Sequence, residues 1–384
     1  MKELVDLKYL PNGVFGKKKG VDLFLLLFCY VYNMKIWFIA DSHFGVKSDD
    51  DTKLNDFYSY YNDVLIPYMR KNVKPDDMLV HLGDIFDNRS YIGTKTIWCA
   101  YNVFEQFSQI FNDIRICVGN HDMVNKNSTE MTPLLGIKYM PHTKIYYEPE
   151  VETIGGKKIL FMPWIEDLKK QKETIGNYDV DYVFGHLQIS GCITNVKGSV
   201  MSGDEMSQAK DFKKAQVYAG HIHIRQDYKN IHYVGNPYHK DKGDIDNAKG
   251  ITILDLDTGE SDFIENTYSP QYIKENIYDI LEETVADVKK RWDNNYVDIE
   301  IKKSDAVENQ GSLETFRLAL GDCYKGYHLK YDNTEGMVSV DEEKLVGEAK
   351  SSGDLLEDYV NACDIESGMK DSVKEWLKKF KDRL

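Results

Sequence analysis

The residues of this chain that could do chemistry fall in five short clusters: Asp41-Ser42-His43, Gly83-Asp84-Ile85-Phe86-Asp87, Gly119-Asn120-His121-Asp122, Gly185-His186 and Gly220-His221-Ile222-His223. Five of the ten histidines lie in them, so imidazole is concentrated where carboxylates are. Imidazole, carboxylate and carboxamide donors without a thiolate suit a borderline-to-hard divalent ion such as manganese, iron or zinc, and not a structural zinc site. The donors outnumber what one ion needs, which points to two. Two ions about 3.5–4 Å apart, sharing a carboxylate, are the usual device for in-line attack at phosphorus. Taken singly, each cluster is ordinary: Gly-His is a common turn, Asp41 could cap a helix, and Asp84 with Asp87 could sit at a helix N-terminus. What joins them is position, because each follows a short apolar run.

Those runs are the elements that must place the clusters. Residues 35–40, 78–82, 114–118, 180–184 and 216–219 are short, apolar and rich in strand formers, as buried parallel strands are. Further strands are expected at 158–163 and 231–234, with 250–256 closing an antiparallel hairpin. Between the first three, apolar residues recur at helical spacing over 49–71 and 95–111. Strand, polar cluster and helix thus repeat, which implies a largely parallel sheet with the clusters along one rim of it, where ligands bind in open α/β folds. Asp41 and His43 are accordingly expected as ligands. The catalytic module is expected to span 34–265. A small α+β domain follows over 266–335, with one helix running through Ile277, Ile280, Leu281, Val285 and Val288 to Trp292, a helix at 313–320, and strands at 296–301 and 327–331. An acidic linker at 336–352 leads to two amphipathic helices in 353–384, too short to hold a core and therefore expected to dock on something else.

In this order the five motifs resemble those of the calcineurin-like metallophosphoesterases, and within that family the SbcD-type nuclease subunits of recombination and repair, the short phage forms especially. Gly83-Asp84-Ile85-Phe86-Asp87, Phe161-Met162-Pro163-Trp164 and Tyr233-Val234-Gly235-Asn236-Pro237 carry the closer match. The resemblance implies an α/β fold: a metallophosphoesterase β-sandwich flanked by helices, with a small α+β capping domain and C-terminal helices. It implies that Asp41, His43, Asp84 and His223 bind one metal and that Asp84, Asn120, His186 and His221 bind the second, with Asp84 bridging. His121 is then left to protonate the leaving oxygen, with Asp122 orienting it. The metals implied are two divalent ions, manganese first, with magnesium, iron or zinc as alternatives. The partners implied are DNA and an SbcC-type coiled-coil ATPase, on which residues 353–384 would dock, with a homodimer inside a heterotetramer. The chain departs from the protein-phosphatase branch, having Asp87-Asn88-Arg89-Ser90 where that branch has Asp-Arg-Gly, and Leu187-Gln188 where it has a glycine pair. Competing readings are a stand-alone phosphodiesterase or phosphatase for small molecules and a non-catalytic scaffold of the same fold.

Composition sets the remaining bounds. The 384 residues, 42% of them hydrophobic, suffice for a main domain and smaller ones. With 48 basic against 63 acidic side chains the net charge is −15, which excludes coating of nucleic acid by bulk positive charge but not local phosphate contacts. Lys47, Arg89, Lys126 and Arg225 are candidates for those contacts. The six scattered cysteines form no CxxC pair and fit a reducing cytoplasm, of the host cell if phage-encoded. Residues 1–33 hold a basic stretch and a twelve-residue apolar run, too short for a bilayer, and are read as an appendage from an upstream in-frame start. Asp87 is open between pairing with Arg89 and supporting a metal ligand. His81, His142, His232 and His328 belong to no motif and read as core or surface residues, and His239 as a minor substrate contact.

Overall fold

The computed structural model describes residues 34–302 and 324–332, apart from Lys126, Asn127, Thr129, Glu130 and Val196. The expected appendage at 1–33, helix at 313–320, linker and terminal helices lie outside the described residues. The strands in chain order are β1 (Lys35–Ile39), β2 (Met78–His81), β3 (Ile114–Cys117), β4 (Thr143–Tyr146), β5 (Glu150–Ile154), β6 (Lys157–Met162), β7 (Tyr182–His186), β8 (Gln216–Gly220), β9 (Gln226–Tyr228), β10 (Ile231–Tyr233), β11 (Gly250–Asp255), β12 (Ser261–Glu265), β13 (Tyr272–Asn276), β14 (Tyr296–Lys302) and β15 (Gly326–Asp332).

The single rim read from the clusters is shared between two sheets, in the β-sandwich that the family resemblance implied. The first has the order β12-β11-β1-β2-β3-β4 and the second β5-β6-β7-β8-β10-β9. β1 to β4 run parallel and pair in register, Ile36 with Met78 and Leu79 with Ile114, while β11 and β12 close that sheet antiparallel. In the second sheet β6, β7, β8 and β10 are parallel, and β5 and β9 form antiparallel edges. The physical cause is alternation within strands that are apolar on both faces. Ile36, Phe38 and Ala40 of the first sheet pack with Phe161, Phe184 and Tyr218 of the second in a core between the sheets. There Phe38 stacks on Tyr218 at 4.7 Å and Tyr146 on Phe161 at 4.2 Å. Trp37 and Ile39 face the other way, into a core shared with the helices. Leu160, Val183, Val217 and Ile231 do the same on the outer side of the second sheet. A period-2 pattern with both faces buried therefore fits a sandwich as well as a single covered sheet.

Helix α1 begins at Asp51, where Asp50 caps Lys53 N at 2.8 Å, and not at residue 49. Lys47, Ser48 and Asp49 take left-handed backbone angles, and the Asp49 carboxylate instead binds Gly93 N and Thr96 Oγ1, fastening the start of α2 (Thr94–Ile110). α1 runs as α-helix over Asp51–Ser59, widens to a π-turn at Tyr60–Leu65 and resumes over Ile66–Asn72. Pro67 explains the widening, since it cannot donate to the carbonyl four residues back and its ring clashes there. α3 (Leu168–Gly176) covers the second sheet. The single helix expected up to Trp292 is broken into α4 (Ile277–Leu281) and α5 (Val285–Trp292), because Thr284 caps a new start on Asp287 N.

β13, β14 and β15 form a small third sheet. It sits on α1, with Lys53 Nζ over the rings of Tyr272 and Tyr296 at 4.2 and 3.4 Å. The described residues as far as Glu300, with 324–330, make one compact unit, and Ile301, Lys302, Tyr331 and Asp332 fall in a second. Among the described residues no helix is long and apolar enough to cross a membrane.

Candidate metal centre

Asp41 and His43 follow β1, Asp84 follows β2 and Asn120 follows β3, all in the first sheet, whereas His186 ends β7 and His221 and His223 follow β8 of the second. The centre is thus built at the end of the sandwich, four donors from the first sheet and three from the second. The loops after β1 and β2 continue their strands' pairing past the regular sheet: Asp41 N donates to Gly83 O at 2.9 Å, His43 N to Asp84 O at 3.0 Å and Phe44 N to Ile85 O at 2.8 Å. To do so Asp41, His43 and Asp84 adopt positive φ of 52°, 43° and 56°, and His221 takes 94°. Such conformations cost of order 1–3 kcal/mol each and persist only where the surroundings hold them. Gly83 and Gly119 make the crowding possible. Gly83 has φ +100°, and a Cβ there would meet His186 Nδ1 at 2.6 Å; a Cβ on Gly119 would stand 2.2 Å from Asp84 Oδ1.

The side chains converge in two overlapping groups. His43 Nε2 faces His223 Nε2 at 3.0 Å and Asp84 Oδ2 at 3.7 Å, and His223 Nε2 lies 4.0 Å from Asp41 Oδ1. On the other side of Asp84, its Oδ2 is 3.4 Å from His186 Nε2, and Asn120 Oδ1 lies 2.9 Å from that nitrogen and 3.1 Å from His221 Nδ1. Three sets of donor atoms are mutually close: Asp41, His43 and His223; Asp41, Asp84 and His186; and His43, Asp87 and His121. These separations match the edges of a coordination polyhedron, since ligand bonds of about 2.1 Å at right angles put donors about 3 Å apart. Two imidazole nitrogens turned on each other at 3.0 Å make at best one hydrogen bond, and a cation between them would satisfy both. The residues therefore fit divalent ions.

Hydrogen bonds on the far ring atoms decide which nitrogens are available. His186 Nδ1 donates to Leu82 O at 2.8 Å, leaving Nε2 toward Asp84. His43 Nδ1 sits 3.1 Å from Asp87 Oδ1, though not aligned as a hydrogen bond. Asp87 therefore stands behind His43, a candidate ligand. Burial pushes His43 down to about 4 and His221 to about 3, and His223 also falls well below the usual range, so all three are neutral with lone pairs to offer. Burial likewise raises Asp41 to about 7. Asp84 stays ionised because the nearby imidazole of His186, and its hydrogen bond, outweigh desolvation. In His186 the opposing burial is overcome by Asp84, which lifts it to about 9. A divalent ion would replace that proton.

His121 and Asp122 do not meet as expected. His121 Nδ1 binds Asp87 O at 2.5 Å, so a backbone carbonyl orients the ring. The fully buried Asp122 carboxylate instead accepts Asp84 N, Gly119 N and Ile85 N at 2.8, 3.0 and 3.0 Å, bracing the two loops that carry Asp84 and Asn120. His239 is buried under the third sheet and accepts Tyr272 N at 3.3 Å.

A buried network under the 41–43 loop has no motif in the sequence. Ser42 Oγ contacts Tyr61 OH at 2.7 Å and His81 Nε2 at 2.8 Å, and Tyr238 OH donates to Ser42 O at 2.5 Å. His81 Nδ1 accepts Gly83 N at 3.3 Å, so one ring ties both metal loops. Its only advance sign was a histidine three residues ahead of Asp84.

A family model described as calcineurin-like phosphoesterase matches residues 34–225. The chain belongs to that family. Its enzymatic class is that of a metal-dependent phosphoester hydrolase. Among curated proteins it is similar to exonuclease subunit 1 of Enterobacteria phage T4, at 27% identity over 363 residues, covering 91% of this chain and 98% of that protein. Among solved structures it aligns with a protein of unknown function from Aquifex aeolicus (19% identity, 49% of this chain and 89% of that one, TM-score 0.28). It also aligns with a 5'-nucleotidase from Candida albicans (14% identity, 62% and 53%, TM-score 0.33).

Proposed function

We propose that this phosphoesterase is a DNA nuclease subunit that hydrolyses phosphodiester bonds with two divalent ions, manganese first among them. The observation that carries the two-ion reading is Asp84 Oδ2 standing between His43 Nε2 at 3.7 Å and His186 Nε2 at 3.4 Å, with His223 beyond the one and Asn120 beyond the other. The near full-length similarity to a phage exonuclease subunit supports DNA as substrate. Asp41, His43, Asp84 and His223 would hold one ion, and Asp84, Asn120, His186 and His221 the other. Such ions supply an activated water and neutralise phosphate charge. His121, held by Asp87 O, hands a proton to the leaving oxygen when its ring is doubly protonated. Asp122 fixes the backbone that aims Asp84. Residues 353–384 dock on an SbcC-type ATPase, in a heterotetramer built on a homodimer, in the cytoplasm of the cell.

The test is manganese-dependent cleavage of linear double-stranded DNA by the purified chain beside Asp84→Ala and His121→Asn. The variants should lose activity, and variants that cut as well as the parent refute the site. Cleavage confined to a small phosphodiester, with and without the ATPase, refutes the nuclease reading. Deleting 353–384 should abolish ATPase binding and spare metal binding.

A further inference from the structure

Lys240 belongs to none of the five motifs, yet its side chain is only 13% exposed and its ammonium stands 3.9 Å from Asp87 Oδ1. That distance is an electrostatic contact, too long for a hydrogen bond. Among the described residues the Lys240 ammonium donates no hydrogen bond, so its stem is packed while its three donors stay open to solvent or a ligand. A lysine held this way presents its charge in one place without spending its donors on the protein.

The backbone that carries it is fixed. Asp244 Oδ2 accepts Lys240 N at 2.7 Å. The same buried carboxylate pairs with Lys249 at 2.5 Å, and Lys249 Nζ donates to His223 O at 2.7 Å. Asn236 Nδ2 donates to Tyr238 O at 2.7 Å, and Tyr238 in turn holds Ser42 O. The loop bearing Lys240 is therefore tied to both the 41–43 and the 221–223 segments. Asp87 connects it to the remaining machinery, since its carboxylate faces His43 and its carbonyl binds His121.

We propose that the Lys240 ammonium donates to a phosphate oxygen of the bound DNA strand beside His121, making it a substrate-contacting residue of this centre. The proposal rests on the nuclease reading above. In an acidic protein, one preorganised cation at the metal centre solves the problem of meeting a polyanion locally, without a basic stripe.

The experiment compares the full chain with Lys240→Met and Lys240→Arg, loaded with Mn2+, on linear double-stranded DNA and on bis(p-nitrophenyl) phosphate. Lys240→Met should lower kcat/KM on DNA by about 10- to 100-fold, the scale of a lost charge-assisted hydrogen bond, and Lys240→Arg should recover most of it. Mn2+ affinity by calorimetry and the thermal midpoint should not move. The slope of log kcat/KM against log salt should fall by about 0.7–0.9, one phosphate contact. An equal loss on the small diester places the contact at the scissile phosphate, and a loss on DNA alone places it on a neighbouring one. Unchanged kcat/KM and salt slope overturn the proposal, as does Mn2+ affinity falling in step with activity, which would make Lys240 only a partner of Asp87. If the parent cleaves the small diester and not DNA, the nuclease reading fails by itself. The phosphate role is then kept by a tenfold loss on the small diester and overturned by none.

Discussion

Replacing Ser42 by alanine tests whether the metal centre depends on the network beneath it. Ser42 is buried between Asp41 and His43, both in left-handed conformations. Gly83 N on His81 Nδ1 places the imidazole proton on Nε2, so the ring donates to Ser42 Oγ. Burial lowers His81 to about 3, which keeps it neutral in that role. Ser42→Ala therefore strands a buried Nε2–H and takes one partner from the Tyr61 hydroxyl, which keeps Tyr238. The orphaned group costs about 1–3 kcal/mol. Part of this should appear as lower stability, and part as relaxation of a strained loop that nothing else on its side chain clamps. The second part predicts a fall in Mn2+ affinity of about 10- to 100-fold, the usual range for losing a group that orients ligands. Calorimetric Mn2+ titration and thermal unfolding in EDTA separate the two. Tyr61→Phe, which removes one bond and keeps the ring packed against Phe44, should give a smaller fall. A lower melting temperature with Mn2+ affinity within about twofold of the parent would refute the reasoning, because the network would then support only the fold.

Gly119→Ala should abolish Mn2+ binding and cut activity by at least about 100-fold, since its Cβ would lie 2.2 Å from Asp84 Oδ1 and 2.3 Å from Asp84 N; full activity in this variant would contradict the bridging geometry. Asp122→Asn turns one carboxylate oxygen into a donor facing a backbone amide, and urea unfolding should show a loss of about 1–3 kcal/mol for each amide left unpaired. Asp244 would be raised by burial, but Lys249 outweighs this and holds it below the usual carboxylate range. Its folded pKa is thus below its unfolded one of about 3.9, so its contribution is present above about pH 4 and fades as pH falls through the folded value. Asp244→Asn should flatten the acid limb of the stability profile, and an unchanged limb would disprove the linkage. Chelation of the parent with EDTA should stop phosphoester hydrolysis and lower the melting temperature, with recovery on adding Mn2+.

The ligand types were legible in the chain because each is local: an apolar strand ends, and the next few residues bear the donor. Strand positions, the helix over most of 51–72 and the five clusters follow from that. The divided helix before Trp292 and the left-handed start at Lys47 did not, since each depends on a side chain caught by a distant partner or by a local cap. That the donors come from two sheets was hidden by strands apolar on both faces, which read alike in one covered sheet and in a sandwich. Nor could spacing show that Asp122 braces the amides after Gly83, that Asp87 serves His43, or that His81 and Lys240 reach the centre, because those contacts join residues some 37 to 153 positions apart. Sequence alone determined which atoms could bind metal, a matter of residue chemistry. Tertiary structure decided which nitrogen faces inward, which backbone is strained and which cation stands beside the donors, because those follow from the packing of one sheet end against another.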